Sequence, residues 1–399
     1  MSVWFSAGHI PPFPLFLVCV VLEWRVRQLA TAALLILLAG SIVYSLLSIL
    51  AALRYVSVRP KKLREPEPIS ILKPLAGLDL ELESNLRTFF EQDYSEFELL
   101  FAVREASDPA AQVVTRLQNE YPAVHSRLLI TGQPPYANAK VFSLALMSTA
   151  AANDLLVMSD SDIRVSTDFL RTVAAEFQDP TLGVATCPYR AMPGPSFWSR
   201  LEATSMNTDF WAGALVARML EGMRFAVGPT IAARRRVLKS IGGFDRLKDY
   251  LAEDFVMGSF AAEAGHGVIL SSYVVEHHIG SSTIAENIAH RLRWSRSTRR
   301  SRPAGYIGQV FTMPLPLALL LCMFAPHLWL LLPITLAVRC LAAYVVSARV
   351  LKAKLDWFLL PIEDLLAFFF WMAGFFGNTI IWRGKRYRLY ADGRFVPIG

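Results

Sequence analysis

The chain has 399 residues, of which 54% are apolar and only 18% are charged, and its formal net charge is +7. A mean hydropathy of +0.37 is high for a soluble enzyme and is typical of a polar domain joined to membrane spans. The four cysteines are scattered without a CxxC pair or a histidine at zinc spacing, which argues against a disulfide framework and a structural zinc site.

The first segment, residues 1–27, is apolar, but it contains several prolines and ends in charged residues. We expect a lumenal or periplasmic lead-in rather than a cleaved signal peptide, because the charged start of a signal peptide is missing. The uncharged run from Leu29 to Leu53 reaches roughly 37 Å at ~1.5 Å per residue, enough to cross a bilayer. The sequence therefore predicts a transmembrane helix over residues 28–54.

Residues 66–306 have the pattern of one soluble α/β domain, in which short apolar runs alternate with helix-like segments. Helices are expected to begin after Asp79 and after Asp108. Alternation of this kind predicts a mostly parallel sheet covered on both faces, which binds ligands at the carboxyl ends of its strands. The predicted strands cover 69–74, 97–103, 126–131, 154–160 and 183–189.

The last third of the chain is apolar again. Residues 307–349 are interrupted by Pro326-His327, which predicts a helical hairpin of two spans. Residues 356–382 predict a third apolar helix, but two acidic residues lie near its start. A span, a re-entrant segment and an interfacial helix all remain open for it. Residues 383–399 follow as a basic tail.

Basic residues cluster where the apolar segments meet the polar domain, at positions 54–64, 291–302 and 383–388. The positive-inside rule places residues 54–306 and the tail in the cytoplasm, with an even number of crossings between them. A nucleic-acid patch is the competing interpretation. The clusters adjoin membrane segments and lack interleaved aromatic residues, so we expect the bilayer as partner and no nucleic acid.

The sharpest local feature is Asp160-Ser161-Asp162, directly after the strand-like run DLLVM. Two carboxylates two residues apart at a strand end can reach one divalent cation, which in turn holds a diphosphate. A turn or a helix cap is the plainer alternative, because Asp and Ser are common in both. Its place after a buried strand of an α/β domain favours the metal and diphosphate site.

Three other polar clusters are weaker when each is taken alone. The acidic pair at 253–254 opens a predicted helix, where acids commonly act as caps. The motif HRLRW, residues 290–294, belongs to an Arg-rich helix beside a membrane span, and such helices usually face lipid headgroups. In VREASDP, Glu105 or Asp108 can accept hydrogen bonds from a nucleotide, but Asp108 can equally cap the following helix.

In this order, the strand-end acid, DxD, ED and HRLRW resemble the D, DxD, D, (Q/R)xxRW pattern of processive-type family 2 glycosyltransferases. The match is closest to the ceramide glucosyltransferase-like group, including the bacterial hopanoid-biosynthesis-associated glycosyltransferases. It covers roughly residues 66–306 and extends into the membrane regions and the WRGKRYRL tail. The segments that look shared are ILKPLAGLD (71–79), NLRTFFEQDY (85–94), Asn138-Ala139-Lys140, SDSDIRV (159–165), VGPTIAARRRVLKSIGGF (227–244) and YLAEDFVMG (250–258).

The resemblance implies a Rossmann-like GT-A catalytic domain with flanking transmembrane helices. It implies a UDP-sugar donor carrying glucose or N-acetylglucosamine, Mg²⁺ or Mn²⁺ as cofactor, and inversion at the anomeric carbon. The implied acceptor is a membrane lipid hydroxyl, such as that of a hopanoid or a ceramide. The implied location is a bacterial inner membrane, with several passes and a cytoplasmic catalytic domain.

Carried over residue by residue, the resemblance assigns the nucleoside to Glu105 or Asp108 and places Lys140 near the nucleotide. Asp160 and Asp162 would hold the cation and the diphosphate. Glu105 stands where that group has Asp, which leaves the nucleoside-binding acid open. Asp162 completes a full DxD where the eukaryotic ceramide enzymes have DSG, and this favours the bacterial branch.

On the acceptor side, the resemblance assigns the general base to Asp254. Arg293 and Trp294 would lie by the diphosphate and the acceptor, together with His290. Because His290 replaces the expected Gln or Arg, Arg293-Trp294 is the firmer part of that motif.

Two other functions compete with a lipid glycosyltransferase. A processive polysaccharide synthase would need a transmembrane channel, for which about three C-terminal spans are few. A transporter or membrane scaffold would leave the ordered acidic motifs and the large polar domain without a role.

Overall fold

The computed structural model describes residues 13–58, 61–280, 283–382 and 384–398, so residues 1–12 of the expected lead-in lie outside the described part. The helices are α1 (Phe13–Val56), α2 (Leu82–Phe90), α3 (Pro109–Glu120), α4 (Ala139–Ala150), α5 (Phe169–Phe177), α6 (Phe197–Ser205), α7 (Trp211–Glu221), α8 (Arg235–Ser240), α9 (Gly243–Leu247), α10 (Glu253–Glu263), α11 (Ile284–Ser301), α12 (Pro303–Gly308), α13 (Pro314–Phe324), α14 (Leu331–Tyr344) and α15 (Leu359–Gly374). The strands are β1 (Ile69–Pro74), β2 (Phe97–Val103), β3 (Ser126–Ile130), β4 (Leu155–Ser159), β5 (Ile163–Arg164), β6 (Leu182–Thr186), β7 (Tyr189–Pro193), β8 (Thr230–Arg234), β9 (Gly267–Leu270), β10 (Val275–Ile279), β11 (Thr379–Trp382), β12 (Lys385–Leu389) and β13 (Phe395–Pro397).

A seven-stranded sheet forms the centre of the polar domain, in the order β3-β2-β1-β4-β8-β6-β9. β1 pairs in parallel with β2 and β4, and β2 pairs in parallel with β3, whereas β8 runs antiparallel to β4 and β6. All residues of β4 and β6 are buried, as expected of continuous apolar strands in a sheet covered on both faces. The α/β class and the mostly parallel sheet are confirmed.

The predicted strands 69–74 and 97–103 coincide with β1 and β2, and β3 and β4 lie within the ranges predicted for them. The single strand predicted over 183–189 is wrong. β6 ends at Thr186, and β7 begins at Tyr189 in a second sheet of order β5-β10-β7. Pro188 lies between them and has no amide hydrogen to continue the ladder of the first sheet.

The strand order places a ligand crevice at β1 and β4. From β1 the sheet grows through β2 to β3, and the chain then returns through α4 to β4 on the other side of β1. Open α/β sheets bind ligands where the strand order reverses in this way. α2 begins at Leu82 rather than directly after Asp79, whose carboxylate accepts a hydrogen bond from Ser161 in the loop after β4.

The first apolar segment differs from the prediction, because α1 is continuous from Phe13 to Val56 and has no boundary near residue 28. Pro14 lies in the first turn, where the helix needs no amide hydrogen. The charged residues that were expected to separate a lead-in from a span lie inside the helix.

Within the described ranges, Val21–Val56 and Leu331–Val350 are long and apolar enough to cross a membrane. Pro303–Thr312 and Pro314–Phe324 form a pair bent by 63° that adds a third crossing if it acts as one span. The hairpin predicted over 307–349 therefore contains two spans only when this bent pair is counted.

α15 is short, since its 16 residues extend only about 24 Å. Its two acids face the protein. Glu363 accepts from both terminal nitrogens of Arg291 at 2.7 and 2.6 Å, and Asp364 accepts from Arg339 at 2.7 to 3.0 Å. Both carboxylates are fully buried, so α15 is held by ion pairs, which argues against a simple lipid-facing span.

The C-terminal end corrects two predictions. The helix predicted over 356–382 ends at Gly374, and residues 379–382 form β11 instead. The segment expected to be a basic tail supplies β12 and β13, so the three strands form a small antiparallel sheet in the order β11-β12-β13.

Candidate active site

The DxD motif lies at the carboxyl end of β4, next to the point where the strand order reverses. The Asp160 amide donates to the carbonyl oxygen of Pro229 at 2.9 Å, which fixes the turn after the strand. Lys140 Nζ lies 2.7 Å from Asp160 Oδ1 and 3.2 Å from Glu253 Oε1. The structure thus brings together three residues that are far apart in the sequence.

Lys140 takes its position from the start of α4. Asn138 caps this helix, because its side-chain oxygen accepts from the Val141 amide at 3.1 Å. The neighbouring carboxylates Asp160 and Glu253 outweigh the loss of hydration and raise the pKa of Lys140. Its ammonium group therefore stays charged beside the DxD motif, where a diphosphate would need a cation.

A second lysine, Lys73, lies under the same turn. It is fully buried near the end of β1, and its Nζ donates to the Asp160 carbonyl oxygen at 2.5 Å and to Ser159 Oγ at 3.3 Å. Its ammonium group also lies 3.8 Å from the centre of the Phe89 ring. Burial lowers the pKa of Lys73 to about 7, although Asp160 and Asp162 oppose this shift.

Asp162 faces the second sheet. Its Oδ2 lies 3.1 Å from Nε2 of His277, and its carbonyl oxygen accepts from the His278 amide at 2.9 Å. Loss of hydration opposes ionisation, but His277 and Lys73 outweigh it and lower the pKa of Asp162. In turn, the Asp162 charge outweighs burial and raises the pKa of His277.

Glu253 and Asp254 form the first turn of α10, and their side chains point in different directions. Glu253 is buried and contacts Lys140 and the Asn138 amide group. Asp254 lies against Gly228, where a methyl group on the glycine would come within 3.0 Å of Asp254 Oδ2. Loss of hydration, with repulsion from Glu253, raises the pKa of Asp254 to about 6.

Lys140, Asp160, Glu253 and Asp254 line one pocket at the carboxyl edge of the sheet. Its polar wall carries an ammonium group and three carboxylates, and its apolar wall is formed by side chains of α4, α10, β4 and β8. A charged ligand bound at this edge of the sheet would meet a basic residue that is partly protected from water. The lining residues are Lys140, Leu144, Met158, Asp160, Gly228, Ile231, Glu253, Asp254 and Met257.

The two candidate nucleoside-binding acids have different surroundings. Asp108 caps α3, because its carboxylate accepts a hydrogen bond from the Ala110 amide at 2.9 Å. It also accepts one from the Gly77 amide at 3.0 Å, which holds the loop after β1 in place. Glu105 is exposed and accepts from Gln133 Nε2 at 2.9 Å. The helix-capping alternative for Asp108 is thus confirmed.

His290, Arg293 and Trp294 lie on α11 and do not line the pocket around Asp254. His290 Nδ1 lies 3.4 Å from the buried Glu202, and its ring is 6.1 Å from that of Trp294. Glu202 is close enough to the DxD side to contribute to the raised pKa of His277. The HRLRW motif is therefore connected to the site indirectly, through Glu202 of α6, and does not contact the pocket.

The acidic cluster fits a divalent cation. Asp162 Oδ1 is buried and has no hydrogen-bond partner among the described residues. Loss of hydration, with repulsion from Asp162, raises the pKa of Asp160 despite its contact with Lys140. A cation between the two aspartates would relieve this repulsion, and carboxylate oxygens suit Mg²⁺ and Mn²⁺. Within the described residues, however, no three acidic, His or Cys side chains are already gathered at ligand distance.

Sequence analysis missed three residues of this site. Lys73 lies in the ILKPLAGLD segment, where a lysine inside an apolar strand is a visible signal. Gly228 lies in the VGPT segment, and its role depends on a contact with α10. His277 lies outside the segments that were singled out, and only strand pairing brings it to Asp162.

Comparison with known proteins relates the chain to sugar transferases. The model of glycosyl transferase family 21 matches residues 33–395. Ceramide glucosyltransferase 1 of Caenorhabditis elegans is 28% identical over 236 residues, covering 58% of this chain and 50% of that protein. Ceramide glucosyltransferase 3 of the same organism is 24% identical over 346 residues, covering 82% of this chain and 74% of that protein. The chain thus spans half of the length of the first relative and about three quarters of the second.

Among solved structures, mannosyltransferase PcManGT from Pyrobaculum calidifontis, in complex with GDP-Man and Mn²⁺, matches with a TM-score of 0.53. The two chains are 18% identical, and the match covers 86% of this chain and 97% of the other. At this level of identity the likeness concerns the fold alone, and it confirms the expected GT-A architecture.

Proposed function

This chain belongs to glycosyl transferase family 21, and we propose that it transfers a sugar from a UDP-sugar to a membrane lipid hydroxyl with inversion at the anomeric carbon. The observation that carries the proposal is the pocket that joins Asp160, Lys140 and Asp254 at the switch point of the sheet. The pocket combines a cationic wall for a diphosphate with a carboxylate that can accept a proton.

On the donor side, we assign the nucleoside to Glu105, because Asp108 already accepts hydrogen bonds from Ala110 and Gly77. Lys140 would contact the diphosphate. Asp160 and Asp162 would hold Mg²⁺ or Mn²⁺, and the cation would neutralise charge on the diphosphate.

On the acceptor side, Asp254 would remove the proton of the lipid hydroxyl as its oxygen attacks the anomeric carbon. The bond from that carbon to the diphosphate oxygen breaks, and UDP leaves with the bonding electron pair. Arg293 and Trp294, with His290, would lie by the leaving diphosphate and the acceptor. Preorganised positive charge there stabilises the transition state more than the bound substrate.

The candidate membrane helices support a lipid as the acceptor. α1 and Leu331–Val350 are candidate spans that adjoin the polar domain, so a lipid acceptor would be held at a fixed height beside it. We propose glucose or N-acetylglucosamine as the sugar and a hopanoid or ceramide as the acceptor. The catalytic domain would lie in the cytoplasm, at a bacterial inner membrane.

The test is a transfer assay with purified protein in lipid nanodiscs containing Mn²⁺. UDP-glucose and UDP-N-acetylglucosamine are each supplied with a hopanoid or a ceramide, and products are identified by mass spectrometry. We expect one lipid carrying one added sugar, formed at least ~10² times more slowly by Asp254→Asn. A growing sugar polymer would indicate a polysaccharide synthase, and the absence of any UDP release would contradict a transferase.

A further inference from the structure

We propose that the C-terminal sheet, residues 379–397, is a positioning element that fixes the catalytic loop 249–252 relative to α11. This inference rests on the proposed function, because it assigns the sheet a role in the placement of the base Asp254. The sequence of the same segment predicts the end of a membrane helix followed by a basic tail.

The first observation is backbone pairing between the sheet and the loop. The Phe395 amide donates to the Asp249 carbonyl oxygen at 2.9 Å, and the Leu251 amide donates to the Gly393 carbonyl oxygen at 3.3 Å. Between these two bonds, Tyr250 and Arg394 form an isolated antiparallel bridge. The segment that leads into α10 is thus paired with the sheet like an added strand. This pairing ends at Leu251, three residues before Asp254.

The second observation is a separate apolar core beneath this pairing. Leu251 packs with buried side chains of all three strands, and Phe395 is only 1% exposed. Ala137, which precedes the cap of α4, packs against the same cluster. The other members of the cluster are Ile380, Trp382, Tyr387 and Leu389.

The third observation links the loop to the donor side. Asn138 Nδ2 donates to the Tyr250 carbonyl oxygen at 2.9 Å while its side-chain oxygen caps the helix that carries Lys140. A shift of the loop would therefore move both the base and the lysine that contacts Asp160.

The fourth observation is the anchor of the sheet on α11. Arg299 donates to the carbonyl oxygen of Gly377 and to the side chain of Asn378, both at 2.8 Å, and Arg300 donates to Asn378 at 2.6 Å. Arg296, one turn earlier, donates to the Thr379 carbonyl oxygen. These arginines follow HRLRW on the same helix. The sheet therefore connects the helix that carries HRLRW to the loop that leads to Asp254.

The experiment removes the packing without touching the pocket. Phe395→Ala should reduce kcat for sugar transfer at least ~10-fold, because a misplacement of about 1 Å can cost on the order of 10² in rate. The number of UDP sites per protein in Mn²⁺ should remain unchanged, and any loss of UDP affinity through Lys140 should be much smaller than the loss of kcat. Val396→Ala is the matched control, since Val396 is the next residue and is 41% exposed. Its kcat should equal that of the wild type.

Leu251→Ala perturbs the same contact from the loop side. The fold-loss of kcat in the double variant Phe395→Ala/Leu251→Ala should be smaller than the product of the fold-losses of the two single variants. Phe395→Leu should restore much of the rate. Parallel loss of kcat and of UDP sites would indicate a merely structural role and would overturn the proposal, as would an unchanged kcat in Phe395→Ala.

Hydrogen exchange separates this proposal from the proposed function. In Phe395→Ala, amides of residues 249–254 should exchange faster while those of β1 do not change, whatever reaction the protein catalyses. If the wild type transfers no sugar but the loop loosens in this way, the positioning role stands and the proposed reaction fails. An unchanged exchange pattern would refute the positioning role itself.

Discussion

Replacement of Asp254 by Asn tests the proposed base directly. Asn keeps the size of the side chain and its contact with Gly228 but cannot take a proton. Loss of a general base typically costs on the order of 10² to 10⁴ in rate, so kcat should fall by at least ~10². The affinity for UDP in Mn²⁺ should stay within a few-fold, because Lys140 and the DxD motif are unaltered.

The raised pKa of Asp254 adds a pH signature. The base acts only when it is ionised, and loss of hydration in the pocket raises its pKa from 3.8 to about 6. It would be about nine-tenths ionised at pH 7 and about one-tenth at pH 5, so the wild-type rate should fall roughly tenfold between them. Asp254→Asn should lack this acidic limb.

Initial rates of sugar transfer from pH 5 to pH 8, with saturating donor and acceptor, give both results in one series. Glu253→Gln is the control, because the Glu253 side chain contacts Lys140 and Asn138 rather than Gly228. Its loss of turnover should be far milder. If Asp254→Asn is nearly normal and Glu253→Gln is inactive, the two roles are exchanged and the assignment is wrong.

Four other substitutions test the metal site, the pocket, the topology and a buried ion pair. Asp162→Ala should abolish Mn²⁺-dependent UDP binding in calorimetry, and unchanged affinity would refute the metal assignment. Gly228→Ala should lower kcat roughly tenfold with normal UDP binding, because the new methyl group would lie 3.0 Å from the carboxylate of the proposed base, Asp254. Ser107→Cys should resist impermeant thiol reagents in intact cells, and labelling from outside would overturn the cytoplasmic topology. Glu363→Gln should destabilise the protein by about 3–5 kcal/mol in denaturant titration, since it leaves a buried arginine partly unpaired, and a change under 1 kcal/mol would contradict that reasoning.

The strands around the site were predictable because buried parallel strands are continuous apolar runs. β1 and β2 match the predicted ranges, and Asp160 was identified because it directly follows such a run. The same signal failed at 183–189, where one apolar run serves two sheets on either side of Pro188. Local hydropathy does not encode which sheet a strand joins.

Long-range contacts explain the residues that sequence reasoning missed. His277 reaches Asp162 only because β10 pairs with β5 and β7. Gly228 matters because α10 packs Asp254 against it. The C-terminal sheet was missed for the same reason, and because its core is small. Its buried side chains are few, and their partner Leu251 is more than a hundred residues earlier in the chain.

The two acids of α15 connect the candidate membrane helices to the α/β domain and hold their relative position. Arg291, inside the HRLRW motif, is held by Glu363, and Arg339 of the span Leu331–Val350 is held by Asp364 and by Asp209 at 2.6 Å. Buried ion pairs contribute little net stability, because desolvation offsets their attraction. They do penalise any displacement that separates the partners, since a lone buried charge is costly. α11 is therefore fixed on its membrane side by the Arg291–Glu363 pair and on its other side by the C-terminal sheet. Under the proposed function, this would constrain the height at which the lipid hydroxyl meets Asp254.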